Sequence, residues 1–149
     1  MSGQSTKVIS PATLAHVVLR TANFKQMLDY YKTFLGAGAS YENEMLSFLT
    51  YDEEHHRIAI MGVPGTGDKK PGTAGLKHIA FTSKTLDDLE HNILLTVCIN
   101  HGPTTSIYYI DPDGNMIETQ VDNFDTAQEA TGFNPEGLIR RTERGEFVE

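Results

Sequence analysis

The chain has 149 residues, 39% of them hydrophobic: enough for one domain with its own core, with no apolar run near the length of a membrane span. A formal charge of −8, unbroken by any Lys/Arg cluster, repels phosphate backbones, so neither nucleic acid nor a membrane is an expected partner. The single cysteine, Cys98, excludes a disulfide framework and a cysteine-rich zinc site, and its neighbours Val97 and Ile99 predict a small buried residue there.

The residues before Thr13 are polar and lack the basic-then-apolar order of a signal peptide, which predicts a cytoplasmic location. Leu14-Ala15-His16-Val17-Val18-Leu19-Arg20-Thr21 then reads as an apolar strand with one imidazole. Phe24, Met27, Leu28, Tyr31 and Leu35 recur at helical spacing, with Asn23 placed to cap the helix and Gly36 to end it. Residues 40–44, 45–51 and 56–63 are three short runs of alternating or β-branched character, a predicted meander, so that residues 13–63 make a βαβββ module. Residues 64–74 hold too much Gly and Pro, around Lys69-Lys70, for regular structure and are read as a linker.

A second module is predicted over residues 75–123. It opens on Leu76-Lys77-His78-Ile79-Ala80-Phe81-Thr82-Ser83, where His78 takes the place that His16 holds in the first module. The spacing between the two histidines, applied again, carries Phe24 and Met27 onto Leu86 and Leu89, so the chain reads as a duplicated module. Thr85 is placed to cap a short helix bearing Leu86, Leu89 and Ile93, followed by an extended stretch at residues 95–100. Residues 104–110 form a strand, turn through Asp111-Pro112-Asp113-Gly114 and return over residues 115–121 as a hairpin. The polar tail, residues 124–149, contains Gln128, Glu129, Arg140, Arg141 and Arg144 and a weak amphipathic stretch at Leu138 and Ile139. Packing on a neighbouring subunit and staying loose are both open to it.

Side chains alternate across a strand, so His16 shares a face with Leu14 and Val18, and His78 opposes Ile79 and Phe81. The purely apolar face suits the helix, which leaves both histidines on the other side. A pseudo-twofold between modules would set the two first strands side by side and bring the imidazoles into one cavity. Glu118 stands among Met116, Ile117 and Val121, where an unpaired carboxylate is costly to bury and a metal would neutralise it. Two neutral imidazoles and one carboxylate with open positions form the facial set favoured by Fe(II), although Mn(II), Zn or Ni also suit it.

The repeat spacing also places His56 opposite Glu118, allowing a fourth ligand; a gap of a residue or two would move it to the strand mouth, where it could transfer protons. His55 is expected to face away, into solvent. Only one of Tyr108 and Tyr109 can face the cavity. His101, in the loop Asn100-His101-Gly102-Pro103, fits a surface role and a catalytic one equally.

These residues resemble a known family. Leu14-Ala15-His16-Val17-Val18, Gly75-Leu76-Lys77-His78-Ile79-Ala80-Phe81 and Tyr108-Tyr109-Ile110-Asp111-Pro112-Asp113-Gly114-Asn115-Met116-Ile117-Glu118 are similar to the vicinal-oxygen-chelate superfamily, which includes glyoxalase I, bleomycin-resistance proteins and extradiol dioxygenases. The likeness spans roughly Thr13 to Asn123 and is specific for the superfamily but not for one reaction. It implies an α+β fold whose two βαβββ modules form a half-open mixed β-barrel around a metal site. The strand His56-Arg57-Ile58-Ala59-Ile60-Met61 lacks the acidic ligand of glyoxalase I relatives, which turns the resemblance toward extradiol dioxygenases.

By that likeness His16, His78 and Glu118 bind Fe(II), and His56, Tyr108 and His101 take catalytic roles: His56 as acid/base, Tyr108 as a hydrogen-bond donor to the bound catecholate, His101 as a second pocket histidine. The implied partners are a vicinal aromatic diol and O₂, with a homodimer open. Two departures stand against a full transfer: classical ring-cleaving enzymes carry an additional N-terminal pair of modules, and the second helix here is short. The alternatives are a metal-dependent isomerase, lyase or transferase on the same ligands, or a metal-free protein that sequesters small molecules.

Overall fold

Alternation along the strands decides which residues are hidden. Described in a computed structural model over residues 9–89 and 97–134, the chain runs β1 (Val17–Thr21), α1 (Phe24–Leu35), β2 (Gly38–Glu42), β3 (Leu46–Thr50) and β4 (Ile58–Gly62), then β5 (His78–Thr82), a 3-10 turn (Asp87–Leu89), β6 (Val97–Asn100), β7 (Thr104–Ile110), β8 (Met116–Asp122) and α2 (Ala127–Gly132). Four strands make one sheet in the order β1-β4-β3-β2 and four make another in the order β5-β8-β7-β6. In each the first and last strands in chain order pair in parallel while the remaining neighbours are antiparallel. The duplication expected from the sequence is thus present as a repeated topology, and neither sheet closes on itself. Among the described residues no helix is long and apolar enough to cross a membrane.

Helix α1 buries Met27, Leu28, Tyr31 and Phe34, an i, i+1, i+4, i+7 stripe, between the two sheets. It lies against β3 and β4 on one side. On the other, the Phe34 ring packs edge-on to Tyr109 at 5.1 Å and to Phe81 at 6.5 Å. Leu19, Leu49, Ile58 and Ile60 of the first sheet and Ile107, Tyr109, Ile117 and Val121 of the second join α1 in one apolar cluster. Gly36 ends the helix in the left-handed region at φ 59°, where a Cβ would be strained.

Asn23 occupies the N-cap position but does not cap: its amide donates to Asp113 Oδ1 at 3.0 Å, spending the side chain on the β7–β8 turn instead. That turn is organised by buried Asp111, which accepts from the backbone N–H of Asp113 (3.0 Å) and Asn115 (2.7 Å), from Asn115 Nδ2 (2.8 Å) and from the Tyr31 hydroxyl (3.0 Å). In the second module Thr85 and Asp88 exchange hydrogen bonds at the start of the 3-10 turn, as a cap should. The remainder of the expected second helix, including Ile93, lies outside the described residues, as do Leu138, Ile139 and the arginines of the tail.

Two further expectations fail. Cys98 is exposed, because β6 is the outermost strand of its sheet and the core stops short of it. No ladder joins β1 to β5, because the sheets meet through α1 rather than edge to edge.

Packing tolerances are narrow beneath α1. A Cβ on Gly62 would sit 3.0 Å from Phe24 Cβ and 3.4 Å from the Met45 carbonyl oxygen. Gly62→Ala is expected to cost about 1–3 kcal/mol in urea unfolding. An unchanged midpoint would show that the Phe24 side chain moves aside freely.

Candidate functional site

The ladders reveal which positions of the two modules correspond. Val18, Ala59 and Phe48 form one rung of the first sheet, on the face away from α1. Ala80, Glu118 and Tyr108 form the matching rung of the second. The first strands keep the spacing that separates His16 from His78, but the last strands are closer in sequence, so the counterpart of Glu118 is Ala59, and that of Tyr108 is Phe48. His56 therefore lies ahead of β4 and not at the seat of a fourth ligand.

In the second module the side chains form a chain of hydrogen bonds. His78 Nε2 and Glu118 Oε2 are 2.9 Å apart, with Glu118 5% exposed. The Tyr108 hydroxyl donates to Glu118, and His101 Nε2 lies 2.9 Å from the same hydroxyl oxygen. A carboxylate only accepts, so the network assigns the proton of His78 to Nε2; because Tyr108 spends its own proton on Glu118, His101 also donates through Nε2. Burial first, then the charge of Glu118 and the bond to it, push the Tyr108 hydroxyl up to about 12. It therefore stays a proton donor across neutral pH.

In the first module three imidazoles gather. His16 packs on His56 at 4.2 Å, and His56 lies flat on Phe48 at 4.5 Å with 15° between planes. His55 stands edge-on to His56 at 4.3 Å but faces solvent, paired with Glu54 at 2.5 Å, in accord with the expectation that it points away. His56 is buried, and its Nδ1 has no hydrogen-bond partner. Burial, then the neighbouring His16 and His55, hold its pKa below the usual histidine value. The loop that presents it is pinned: Thr50 Oγ1 donates to Glu54 O at 2.6 Å, Ser40 Oγ to His55 O at 2.5 Å, and Arg57 N to Leu49 O at 2.7 Å. Arg57 Nη1 also donates to the carbonyls of Leu14 (3.0 Å) and Ala15 (3.2 Å), fixing the segment that carries His16.

The residues singled out from sequence thus fall into two groups, His78 with Glu118, Tyr108 and His101, and His16 with His56. A cavity of about 190 Å³ between Leu14–Val17 and Ile79–Phe81 has His16 on its wall but neither His78 nor Glu118. Among the described residues no three His, Cys, Asp or Glu side chains converge on one point. As donors, the pair fits a metal. Bonds of about 2.1 Å at right angles hold neighbouring ligand atoms about 3 Å apart, the separation of His78 Nε2 and Glu118 Oε2, once the imidazole gives up its proton. Among the described residues His16 does not join the His78–Glu118 pair in this structure.

Sequence reasoning missed Phe48, Ala59 and Arg57. Alternation in Leu46-Ser47-Phe48-Leu49 offers Phe48 to the face opposite Leu49, but only the ladder shows that it stands where Tyr108 stands.

A family model for the glyoxalase/bleomycin resistance protein/dioxygenase superfamily matches residues 13–119. Biphenyl-2,3-diol 1,2-dioxygenase 2 of Rhodococcus globerulus is 48% identical over 80% of this chain and 67% of its own length. Biphenyl-2,3-diol 1,2-dioxygenase 3 of the same organism is 48% identical over 80% and 68%. A glyoxalase/bleomycin resistance protein/dioxygenase domain from Frankia sp. EAN1pec superposes with a TM-score of 0.64 over 76% of this chain and all of its own, at 17% identity, a likeness of fold alone.

Proposed function

The chain belongs to the glyoxalase/bleomycin resistance protein/dioxygenase superfamily, and from that premise we propose that it is an extradiol dioxygenase, cleaving the ring of a vicinal aromatic diol with O₂. The observation that carries this reading is near-half identity, over most of the chain, with two enzymes named for that chemistry. Fe(II) is the cation assigned, with His16, His78 and Glu118 as ligands; Mn(II), Zn and Ni are the other ions this donor set accepts. A cation held by these residues would supply orientation and charge stabilisation to a vicinal diol.

The remaining roles belong to side chains. His56 is kept neutral by its burial, and its unpartnered Nδ1 can accept a proton from a diol hydroxyl. Phe48 holds that ring in one plane. With Glu118 engaged on a cation, Tyr108, protonated at neutral pH, would be free to turn its proton from the carboxylate to the developing diolate oxygen, while His101 Nε2 donates to the tyrosine oxygen. The exposed Val18 and the buried Ala59 give the first-sheet face that carries Phe48 an apolar wall for an aromatic ring.

The test is anaerobic purification with Fe(II), then oxygen-electrode measurement across a panel of catechols that includes biphenyl-2,3-diol. One O₂ consumed per ring opened is expected. Tyr108→Phe is expected to lower kcat/KM about 10²-fold, the loss typical of one oriented donor. Isomerase or lyase turnover with Zn or Ni and no oxygen uptake would replace this reading with the oxygen-independent one.

A further inference from the structure

We propose that Arg57 is a positioning residue: it holds the segment that carries His16 against His56, so that both imidazoles of the first module take their places from one side chain. The inference rests on the reading of His16 as a metal ligand and His56 as an acid/base group, and not on the oxygen chemistry.

The need for such a residue comes from an asymmetry between the modules. His78 is the first residue of β5 and is fixed by its ladder pairing with Met116. His16 stands one residue ahead of β1, exposed and outside the ladder. Continuing the β1–β4 register by one step sets His16 opposite Arg57, the position that Met116 fills beside His78. Where the second module has a thioether, the first has a planar head with five N–H donors.

Those donors engage the neighbours of His16. Arg57 Nη1 donates to Leu14 O at 3.0 Å and to Ala15 O at 3.2 Å, while the Arg57 carbonyl accepts from Val17 N at 3.0 Å, so the chain is gripped on both sides of the imidazole. Among the described residues Leu14 and Ala15 make no other hydrogen bond. The head is itself anchored: Arg57 Nε donates to Asp52 Oδ2 at 2.9 Å, and Asp52 Oδ1 accepts from Glu54 N at 3.0 Å. At its other end the Arg57 N–H donates to Leu49 O at 2.7 Å, next to Phe48, on which His56 lies flat. One residue therefore joins the support of His56 to that of His16, and the two rings meet at 4.2 Å. The half-exposed pair with Asp52 adds little stability of its own; what it fixes is direction. A lysine carries no fork able to reach a carboxylate and two carbonyls at once.

The experiment compares full-length Arg57→Met, which installs the residue of the second module, with Arg57→Lys. In the metal-free protein, NMR of the imidazoles should show His16 losing the ring-current shift that His56 imposes while His56 keeps that of Phe48. Anaerobic equilibrium dialysis should show the Fe(II) Kd raised about 10–100-fold in Arg57→Met, the range for a group that orients a ligand, and less in Arg57→Lys. With a catechol, kcat should fall about 10²-fold while KM holds, the pattern of a misplaced group rather than a missing one. Urea midpoints should move little. Unchanged His16 resonances with unchanged Fe(II) affinity overturn the proposal. So does a parent that binds no Fe(II), or a large loss of midpoint with shifts spread through the core, which would make Arg57 a residue of the fold alone. If Arg57→Met does not fold, Arg57→Lys decides by the same two readouts. The expected ring shifts and affinity loss, with no oxygen uptake by the parent, uphold the positioning role and remove the dioxygenase reading; oxygen uptake that Arg57→Met leaves unchanged does the reverse.

Discussion

Glu118→Gln is expected to abolish Fe(II) binding and lower kcat/KM by about 10³-fold or more, while the metal-free protein stays folded. The magnitude follows from a ligand whose cation contributes several kcal/mol of charge stabilisation, at about 1.4 kcal/mol per decade of rate. The folding half follows from the neighbours. Glu118 is 5% exposed and bonded to His78 and Tyr108. A neutral amide of the same shape keeps one carbonyl acceptor beside these donors and removes the cost of burying a charge. Two melting curves separate the roles. In the parent, saturating Fe(II) raises Tm by mass action; in the variant that rise disappears while the metal-free Tm moves little. A collapse of the metal-free Tm would instead make Glu118 a structural residue.

Asp111→Ala is expected to be the most damaging single change to the fold, at about 3–5 kcal/mol in denaturant unfolding. Asp111 is 3% exposed and accepts four hydrogen bonds, three within its own turn and one from Tyr31 of α1. Removing the carboxylate leaves the fully buried Tyr31 hydroxyl without its acceptor and unties the β7–β8 turn that Asn23 also grips. Burial, then the charge of Asp111, push the Tyr31 pKa above the ordinary tyrosine value of 10.0. A raised folded value means that this contribution is complete below about pH 10 and is lost as pH climbs through the folded pKa. Tyr31→Phe should cost far less than Asp111→Ala, since three other donors still satisfy the carboxylate. Equal losses would show that the tyrosine bond alone holds the turn.

Much of this was legible in the sequence because it is written in local periodicity. The helical stripe of α1, the alternation around His16 and His78, and the Pro then Asp-Gly turn each depend on a few neighbouring residues. The repeat spacing from His16 to His78 was equally visible, but its contraction at the last strand was not, because differences in turn length leave no mark on hydrophobic pattern. That contraction takes His56 out of the alignment with Glu118 that the repeat spacing predicts. Asn23 carries a capping side chain, yet the partner it selects lies 90 residues away. Cys98 sits among apolar neighbours, and only the strand order shows it to be on an edge. Where His16 points relative to His78 is set by how α1 packs on both sheets, a tertiary choice that no window of sequence contains.

The alanine opposite Val18 has an electrostatic consequence. A second acidic group at position 59 would bring the count of negative charges around a divalent ion to two and leave it neutral; with a methyl there, two uncharged rings and one carboxylate leave one unit of positive charge uncompensated. That surplus favours an incoming ligand that sheds protons and arrives as an anion over one that stays neutral. On the proposed ligand set, the duplicated fold would set its affinity for acidic guests at the place where its two halves differ.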